Sequence, residues 1–448
     1  MKLAIVVQRY GADINGGAEL HARYVAEHLA PHAQVVVLTT CARDYVTWHD
    51  AYPAGAETVN GIQVHRFPVD RERDVKLFAT RSDRVFEQDH SYLDELKWLD
   101  AEGPTSTALI RHIKENRAKV DYFFFFSYRY YHAYHGARAA ADKAVLVPTA
   151  ERDHAIGLNI FQPIFRGVRA LMYNSPEERR MIQAAAGNRD VPGVVVGIGS
   201  DIPPRAQLQS DRFRRKHGIT GRFALYVGRI DQNKGCKELF TYFLQALPAL
   251  PKGLGLVLIG KEILPIPGHP RIKHLGFLDD ADKFDALAAA DLLIMPSYYE
   301  SLSMVALEAW ALGKPVLANG KCEVLRGQCI RSRAGLYYDN QAEFVETLRA
   351  IADSRTLNAA LGSNGRAFFT RHYSWPVIER KYLDMLERLR AEELVRLKPD
   401  ATMPSRQMER EPGWFATRRR ILRPADQVLA DLPSGPVIDS YLNVEAVS

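Results

Sequence analysis

The chain contains 448 residues, of which 47% are hydrophobic and 25% charged, and its formal net charge is +6 at pH 7. This composition is ordinary for a soluble protein. A chain of this length is too long to fold around one hydrophobic core, so we expect two α/β domains. The positive charge favours an anionic partner, such as a nucleotide, a phospholipid surface or nucleic acid, although the basic residues are scattered along the chain.

Cysteine spacing and hydropathy indicate the compartment. The cysteines form neither a metal-ligand pair nor a disulfide framework, which is typical of a reducing environment; they are Cys41, Cys236, Cys322 and Cys329. The opening MKLAIVVQRYG has too short an apolar run for a signal peptide, and no run reaches the roughly 18 apolar residues of a spanning helix. We therefore expect a cytoplasmic protein, which can still lie on the inner face of a membrane.

Alternating strand and helix patterns fill the first 200 residues. Helical spacing is clear at 18–30, and apolar strand-like runs lie at 3–7, 34–40, 62–67, 122–126, 144–149, 170–175 and 193–197. A polar, helix-like stretch separates the third and fourth runs. This alternation predicts a parallel sheet with helices on both faces, in a first domain covering 1–200.

A Pro-, Gly- and charge-rich segment at 201–221 interrupts the pattern and is interpreted as a hinge. The alternation then resumes with strands at 223–229, 255–260, 291–295 and 315–319, which predicts a second domain at 222–373. A charged amphipathic helix follows at 374–395. The remaining 396–448 is interpreted as a tail, in which WFATRRRILR could lie on an anionic membrane or remain a solvated segment.

Ligands of open α/β sheets bind beyond the carboxyl ends of the strands, so the residues after each strand are the candidates. After the first strand, Gly16 and Gly17 precede a helix, where they offer either a close backbone approach to an anion or a plain turn.

After 223–229, the loop RIDQNKG brings Arg229 and Lys234 to a helix start. The forked guanidinium of the arginine and the compact ammonium of the lysine would together suit a diphosphate. The alternative is that both are ordinary solvated surface charges.

The stretch ESLSMVALEAWALGKPV places Glu300 and Glu308 around a helix start. Backbone N–H groups of Ser301, Leu302 and Ser303 would be free there to bind an anion. One carboxylate suits a ribose diol, and the other suits a group that gains positive charge during a reaction. The alternative is a helix-dipole partner and an incidental surface glutamate.

Together, INGGAEL, YVGRIDQNKG, YNSPEERRMI, VGIGSDI and the Glu-x7-Glu stretch resemble the retaining glycosyltransferases of family 4, over roughly residues 1–395. The resemblance implies the GT-B fold, two facing Rossmann-like domains with parallel sheets and an interdomain cleft. It also implies a nucleoside diphosphate-sugar donor held mainly by the second domain and an acceptor held mainly by the first.

The resemblance also assigns roles to individual residues. Arg229 and Lys234 would meet the diphosphate, with Gly228 in the same loop, and Gly16-Gly17 would close over the donor phosphates. Glu308 would bind the ribose and Glu300 would approach the transferred sugar. Backbone around Gly276 and Phe277 would hold the base, and the helix after 374 would cross back onto the first domain.

The acceptor side departs from that family, since a glutamate stands where many relatives carry a histidine. Either Glu151 takes that place or His154 reaches in from three residues later, and a loop ion pair of Glu151 with Arg152 is an equal alternative. The aromatic side chains Tyr128, Tyr131 and His132 could form an acceptor platform in the cleft. They could equally pack between helices.

The resemblance, together with the residues that carry it, implies a hexosyltransferase that moves a sugar from a nucleoside diphosphate donor to a glycan or lipid-linked acceptor, with retention of anomeric configuration. Cell-surface polysaccharide biosynthesis is the expected setting. No cofactor, metal or nucleic-acid partner is expected, because two cations can neutralise the diphosphate. The alternatives are a nucleotide-sugar epimerase or phosphorylase on the same fold, and a non-catalytic nucleotide-sugar-binding protein.

Overall fold

The computed structural model describes residues 1–14 and 16–397. Its strands are β1 (Lys2–Val6), β2 (Gln34–Thr40), β3 (Gly55–Val59), β4 (Ile62–Phe67), β5 (Tyr122–Phe126), β6 (Ala144–Val147), β7 (Ala170–Tyr173), β8 (Gly193–Val195), β9 (Phe223–Val227), β10 (Gly255–Ile259), β11 (Ile272–His274), β12 (Leu292–Met295), β13 (Val316–Asn319) and β14 (Gly335–Tyr338).

The helices lie between and after these strands. They are α1 (Gly17–Leu29), α2 (Val75–Glu87), α3 (Tyr92–Glu102), α4 (Thr107–Asn116), α5 (Tyr131–Ala139), α6 (Gln162–Gly167), α7 (Pro176–Ala186), α8 (Ser210–Lys216), α9 (Cys236–Ala246), α10 (Asp280–Ala289), α11 (Met304–Ala311), α12 (Glu323–Ser332), α13 (Gln341–Asp353), α14 (Arg355–His372) and α15 (Trp375–Leu397). No helix in the described part of the chain is long and apolar enough to cross a bilayer.

The first sheet has the strand order β3-β4-β2-β1-β5-β6-β7-β8. All neighbours are parallel except β3 and β4, which form an antiparallel hairpin. The central strands are apolar throughout because helices cover both faces, and Phe123 to Phe126 of β5 are completely buried. The parallel sheet predicted from the alternating pattern is confirmed here.

The second sheet has the order β11-β10-β9-β12-β13-β14, and all its pairs are parallel. Both sheets lie within one compact unit, residues 1–385. Because strands of a parallel sheet end at one edge, the loops after β9 and β12 lie side by side. Loops from the first sheet contact this edge: Asn174, after β7, donates a hydrogen bond to Ser301, after β12, at 3.3 Å.

The segment interpreted as a hinge contains α8, which packs on the second sheet's α10. Arg212 donates to Asp285 at 2.6 Å, and Lys216 forms an ion pair with Asp282. After the second sheet, the start of α15 returns to α1, where Glu379 accepts from His28 at 2.8 Å. The predicted tail, including 414–423, lies outside the described residues from position 398 onward.

Candidate functional site

The loop between β9 and α9 is pressed against the end of β12. Gly235, the residue before α9, has a φ of +71°, and a Cβ atom there would overlap the carbonyl oxygen of Pro296. Only glycine fits such a left-handed, crowded position without strain. Asp231 shapes the same loop, since its carboxylate accepts the backbone N–H of Lys234 at 2.8 Å. Together these contacts turn the Lys234 side chain toward the loop after β12.

Lys234 and Glu300 form an ion pair, with 2.7 Å between Nζ and Oε1. Their side chains are 27% and 11% exposed, so the pair is largely withdrawn from solvent. Burial alone would lower the pKa of Lys234, but the carboxylates of Glu300 and Glu151 outweigh it, and the pKa is raised. Arg229, which is more exposed, pairs with Asp231 at 2.9 Å. Each predicted diphosphate-binding cation therefore already has a carboxylate partner.

Glu308 projects from α11 into a buried polar contact. The helix begins at Met304, after Ser303, whose hydroxyl accepts the backbone N–H of Ala306. Oε1 of Glu308 accepts from Ser200 at 3.0 Å and from Lys283 at 3.1 Å.

The second oxygen of Glu308, Oε2, is buried and has no hydrogen-bond partner within residues 1–14 and 16–397. Buried polar atoms of folded proteins are usually paired, and this oxygen is one of several in the described residues that have no partner within the protein. Burial would lower the pKa of Lys283, but Glu308 and Asp280 raise it, so this lysine stays charged. Ser200 and Lys283 thus hold the carboxylate of Glu308, while its second oxygen keeps an unused acceptor position.

Gly16 and Gly17 open α1 at the edge of the first sheet. A Cβ at Gly16 would overlap the carboxylate of Glu19, which is held by an ion pair with Arg9. No side chain therefore fits at position 16. At Gly17 no atom lies within 4 Å of the position that a Cβ would take. Open space therefore adjoins Gly17 in the first turn of α1, and an anion site at this helix start remains a prediction.

Glu151, rather than His154, is the acceptor-side candidate that lies near the Lys234–Glu300 pair. Burial raises the pKa of Glu151 to about 7; Lys234 lowers it, and Glu300 and Asp153 raise it. His154 is exposed in a short 3₁₀ turn, where its ring centroid lies 5.5 Å from that of Phe86 on α2.

The aromatic residues after β5 require a correction, because two of them belong to the core. Tyr128 is 2% exposed and packs edge-to-face on Phe161 with ring centroids 4.8 Å apart. His132 is completely buried, and its Nε2–H donates to the carbonyl oxygen of Phe126 at 2.9 Å. Both side chains are buried in the first domain, so they present no exposed surface that could serve as an acceptor platform. Tyr131 is half-buried against the same core.

The predicted base-binding residues lie after β11. Gly276 has a φ of +72°, and its carbonyl oxygen accepts the backbone N–H of Gly260 at 2.8 Å. The ring of Phe277 is 70% exposed. The backbone turn at Gly276 and the backbone of Gly228 both bond to the end of β10, since Gly228 donates to Ile259 at 2.9 Å. A base site here remains a prediction.

Sequence reasoning missed three residues that shape this site. Asp231 lay inside the RIDQNKG loop, three residues before Lys234, a spacing at which an Asp side chain commonly accepts a backbone N–H, so it could have been found. Lys283 and Ser200 carried no comparable signal, since both meet Glu308 only through the tertiary fold.

Within the ranges that the structure describes, no group of three His, Cys, Asp or Glu side chains could hold a metal ion.

Comparisons with known proteins agree with this geometry. Residues 209–368 match the family model described as glycosyl transferases group 1. The chain is 29% identical over 202 residues to the D-inositol 3-phosphate glycosyltransferase of Corynebacterium efficiens, an alignment covering 40% of this chain and 47% of that one. It is also 29% identical over 171 residues to the lipopolysaccharide core biosynthesis glycosyltransferase LpsE of Rhizobium meliloti, covering 36% and 48%. The chain spans about half the length of these curated relatives.

Solved structures extend the likeness across both sheets. Sucrose-phosphate synthase of Thermosynechococcus elongatus has a TM-score of 0.63 at 16% identity, covering 87% of this chain and 99% of that one. HepE of Anabaena, solved with UDP, has a TM-score of 0.61 at 16% identity, covering 87% and 100%. These likenesses establish the GT-B fold of two Rossmann-like domains, and the family match supports a GT-B glycosyltransferase.

Proposed function

We propose that this chain is a retaining glycosyltransferase of family 4, which moves a hexose from a nucleoside diphosphate-sugar to a glycan or lipid-linked acceptor. The observation that carries the proposal is the pair of glutamates at one sheet edge, each held differently. Glu300 is paired with Lys234, whereas Glu308 keeps one buried oxygen without a partner. A nucleotide sugar offers a partner for both.

In this proposal Glu308 binds the ribose. Its Oε2 would accept a hydrogen bond from a ribose hydroxyl, which would satisfy an atom whose burial without a partner costs about 1–3 kcal/mol. Ser200 and Lys283 fix the other oxygen, so the carboxylate is oriented before the ligand arrives. Such preorganisation reduces the entropy lost on binding.

Glu300 and Lys234 are proposed to act at the reacting centre. Lys234 and Arg229 face the diphosphate, and Glu300 faces the sugar as its anomeric carbon gains positive charge. The bond from this carbon to the phosphate oxygen breaks, the bond to the acceptor oxygen forms on the same face, and the leaving diphosphate takes the acceptor proton. No divalent cation is required in this scheme, because side-chain cations stabilise the leaving group.

The acceptor and location are proposed on separate grounds. One relative is named for lipopolysaccharide core biosynthesis, which supports a glycan or glycolipid acceptor and a role in cell-surface polysaccharide biosynthesis. The cysteines Cys41, Cys236, Cys322 and Cys329 are all free and buried, as expected for work on the cytoplasmic side of a membrane.

The proposal is tested by a thermal-shift screen of nucleotide sugars, because a ligand that binds only the folded chain raises its apparent stability. HepE was solved with UDP-glucose, and a relative from Corynebacterium glutamicum is named as GDP-mannose-dependent, so UDP-glucose and GDP-mannose are the first probes. The best donor is then incubated with candidate acceptors in EDTA, and release of nucleoside diphosphate is measured. Release that requires an acceptor supports the transferase. Sugar isomerisation without release would indicate an epimerase, and binding without any turnover would indicate a non-catalytic protein.

A further inference from the structure

The predicted diphosphate site carries too few positive charges for its ligand. Arg229 and Lys234 are already paired with Asp231 and Glu300, and Glu151 adds a third carboxyl group beside them. With Glu151 ionised, these five side chains hold two positive and three negative charges. A nucleoside diphosphate would add at least about two further negative charges in a poorly solvated place.

We propose that Glu151 takes up a proton when a nucleoside diphosphate binds, so that donor binding is coupled to protonation of this one carboxyl group. The inference rests on the proposed function only for the class of ligand. With the proton in place, Glu151 no longer repels the phosphates, and its O–H can donate a hydrogen bond to a phosphate or sugar oxygen.

Glu151 is held in position from both sides. The backbone N–H of the preceding Ala150 donates to the buried carboxyl of Glu178 at 2.6 Å. The side chain of the following Arg152 donates to Glu323, at the start of α12, at 2.5 Å. The residues on either side of Glu151 therefore have one contact within the first domain and one to the second, so this carboxyl group starts from a fixed backbone position.

The groups that face Glu151 come from several elements. They are Lys234 and Glu300 at the second sheet, Cys322 at the start of α12, Tyr128, Arg129 and Asp153 from the first domain, and Glu178 of α7. Arg129 is already shared by Glu102 and Asp153. Lys234 is therefore the cation that keeps Glu151 ionised in the free protein, and an incoming phosphate would compete for it.

The direction of the coupling follows from these charges. In the free chain the pKa of Glu151 is about 7, so at pH 8 the group is mostly ionised. Phosphate oxygens placed beside it favour the neutral form and move the pKa upward. At pH 8 the bound chain therefore holds a proton that the free chain lacks. Burial raises the pKa of Glu178 to about 8, so this group is partly protonated at pH 8 as well, and its titration is common to the wild-type chain and to Glu151→Gln.

Isothermal titration calorimetry with UDP, and separately GDP, measures this proton directly. Titrations at pH 8 in EDTA, in buffers of different ionisation enthalpy, give the number of protons taken up, and UDP itself is fully ionised there. We expect uptake of close to one proton and a loss of affinity of about tenfold for each pH unit above the free pKa. Glu151→Gln, which is neutral and similar in shape, should take up almost none and lose this dependence on pH.

Glu323→Gln is the matched control, because it loosens the Arg152 anchor without removing the titrating group, and it should keep the uptake. Uptake that persists in Glu151→Gln, or is absent in the wild-type chain, overturns the inference. If Glu151→Gln does not fold, the proton uptake measured for the wild-type chain decides the question on its own. UDP or GDP binding without uptake leaves the proposed transferase intact, whereas no binding of either between pH 6 and 8 refutes both proposals.

Discussion

Two glutamates of one motif lie in different surroundings. Glu300 sits in a loop, where its side chain is 11% exposed and paired with a lysine, whereas Glu308 is buried in a helix with one oxygen unpartnered. A carboxylate on a loop beside a lysine is suited to a sugar whose charge changes during the reaction. A buried, fixed carboxylate is better suited to a part of the ligand that does not change.

We predict that Glu300→Ala lowers kcat by about a hundredfold, the scale of losing one preorganised electrostatic partner. The loss arises because the interaction strengthens only as the anomeric carbon gains charge. Steady-state kinetics with saturating acceptor give the number. Glu300→Gln keeps the shape of the side chain but removes its charge. A wild-type kcat in that variant would mean that Glu300 only binds a sugar hydroxyl and does not act through its charge.

We predict that Glu308→Ala mainly raises the donor KM, because a ribose contact is equal in ground and transition states. Lys283→Ala should raise KM less, since Ser200 still orients the carboxylate. Donor saturation curves at fixed acceptor separate KM from kcat. A fall in kcat at unchanged KM would mean that Glu308 acts on the reacting centre instead.

At the scale of elements, the turn into α9 depends on one glycine. Gly235→Ala adds backbone strain at φ +71° and an overlap with Pro296, whereas Gly253→Ala, at φ +91°, meets open space. We expect Gly253→Ala to cost about 1 kcal/mol and Gly235→Ala at least about twice that. Urea unfolding of both variants makes the comparison, and equal losses would show that the loop relaxes away from β12.

The elements that sequence patterns predicted are those with continuous apolar runs, such as β1 and β5. The missed strands are short and less apolar: β11 has three residues, and β3 has four of its five side chains exposed. The β3–β4 hairpin did carry a signal. Asn60 and Gly61 both have positive φ between the two strands, which is the turn that an Asn-Gly pair favours.

The site was predictable where its residues follow strands in the chain. Lys234 and Glu300 are 66 positions apart, yet both follow strands of one parallel sheet, so topology brings them together. Tyr128 and His132 follow a strand too, but the backbone turns them into the core, and residue type does not encode that direction. Lys283 meets Glu308 because α10 packs near α11, a packing that no local pattern reports.

A second element-scale prediction concerns His28 at the end of α1. Its ring stacks on Trp375, and its nitrogens contact Glu379 and Asp201 at 2.8 and 3.1 Å. Burial would lower the pKa of His28, but these two carboxylates outweigh it and the pKa is raised. The resulting stabilisation is complete below the unfolded pKa of about 6.5 and is lost as pH rises through the higher folded pKa.

We therefore predict that His28→Gln lowers the thermal midpoint more at pH 5.5 than at pH 8.5. The loss of unfolding free energy should be about 1 kcal/mol larger at the lower pH. His32→Gln is the control, because His32 contacts only Glu379 among these carboxylates, at 3.6 Å, and is more exposed. Calorimetric scans at both pH values measure the difference. A deficit that is the same at both would mean that His28 contributes by stacking alone.

At the scale of the whole molecule, polar contacts bridge the two sheets' domains within residues 1–385. Arg331 of α12 forms two hydrogen bonds to Glu177 of α7, at 2.5 and 3.0 Å. A Cβ at Gly327 would overlap the same carboxylate, so the two helices approach closely there. Glu177 is 5% exposed, which makes this pair less screened by water than ordinary surface pairs.

We predict that Arg331→Ala lets the two domains separate, because it removes both hydrogen bonds to Glu177 that join them and leaves that buried carboxyl, among the described residues, only Arg180 of its own helix as an ion-pair partner. Spin labels at Glu115→Cys on α4 and Ala342→Cys on α13 report the separation by pulsed electron resonance, and the native cysteines are all buried. The distance distribution should broaden toward longer values in Arg331→Ala and narrow again with saturating UDP, which would bind both domains. Arg349→Ala is the control, since its pair with Glu346 lies within α13. Identical distributions for all three proteins would mean that Arg331 does not hold the domains together.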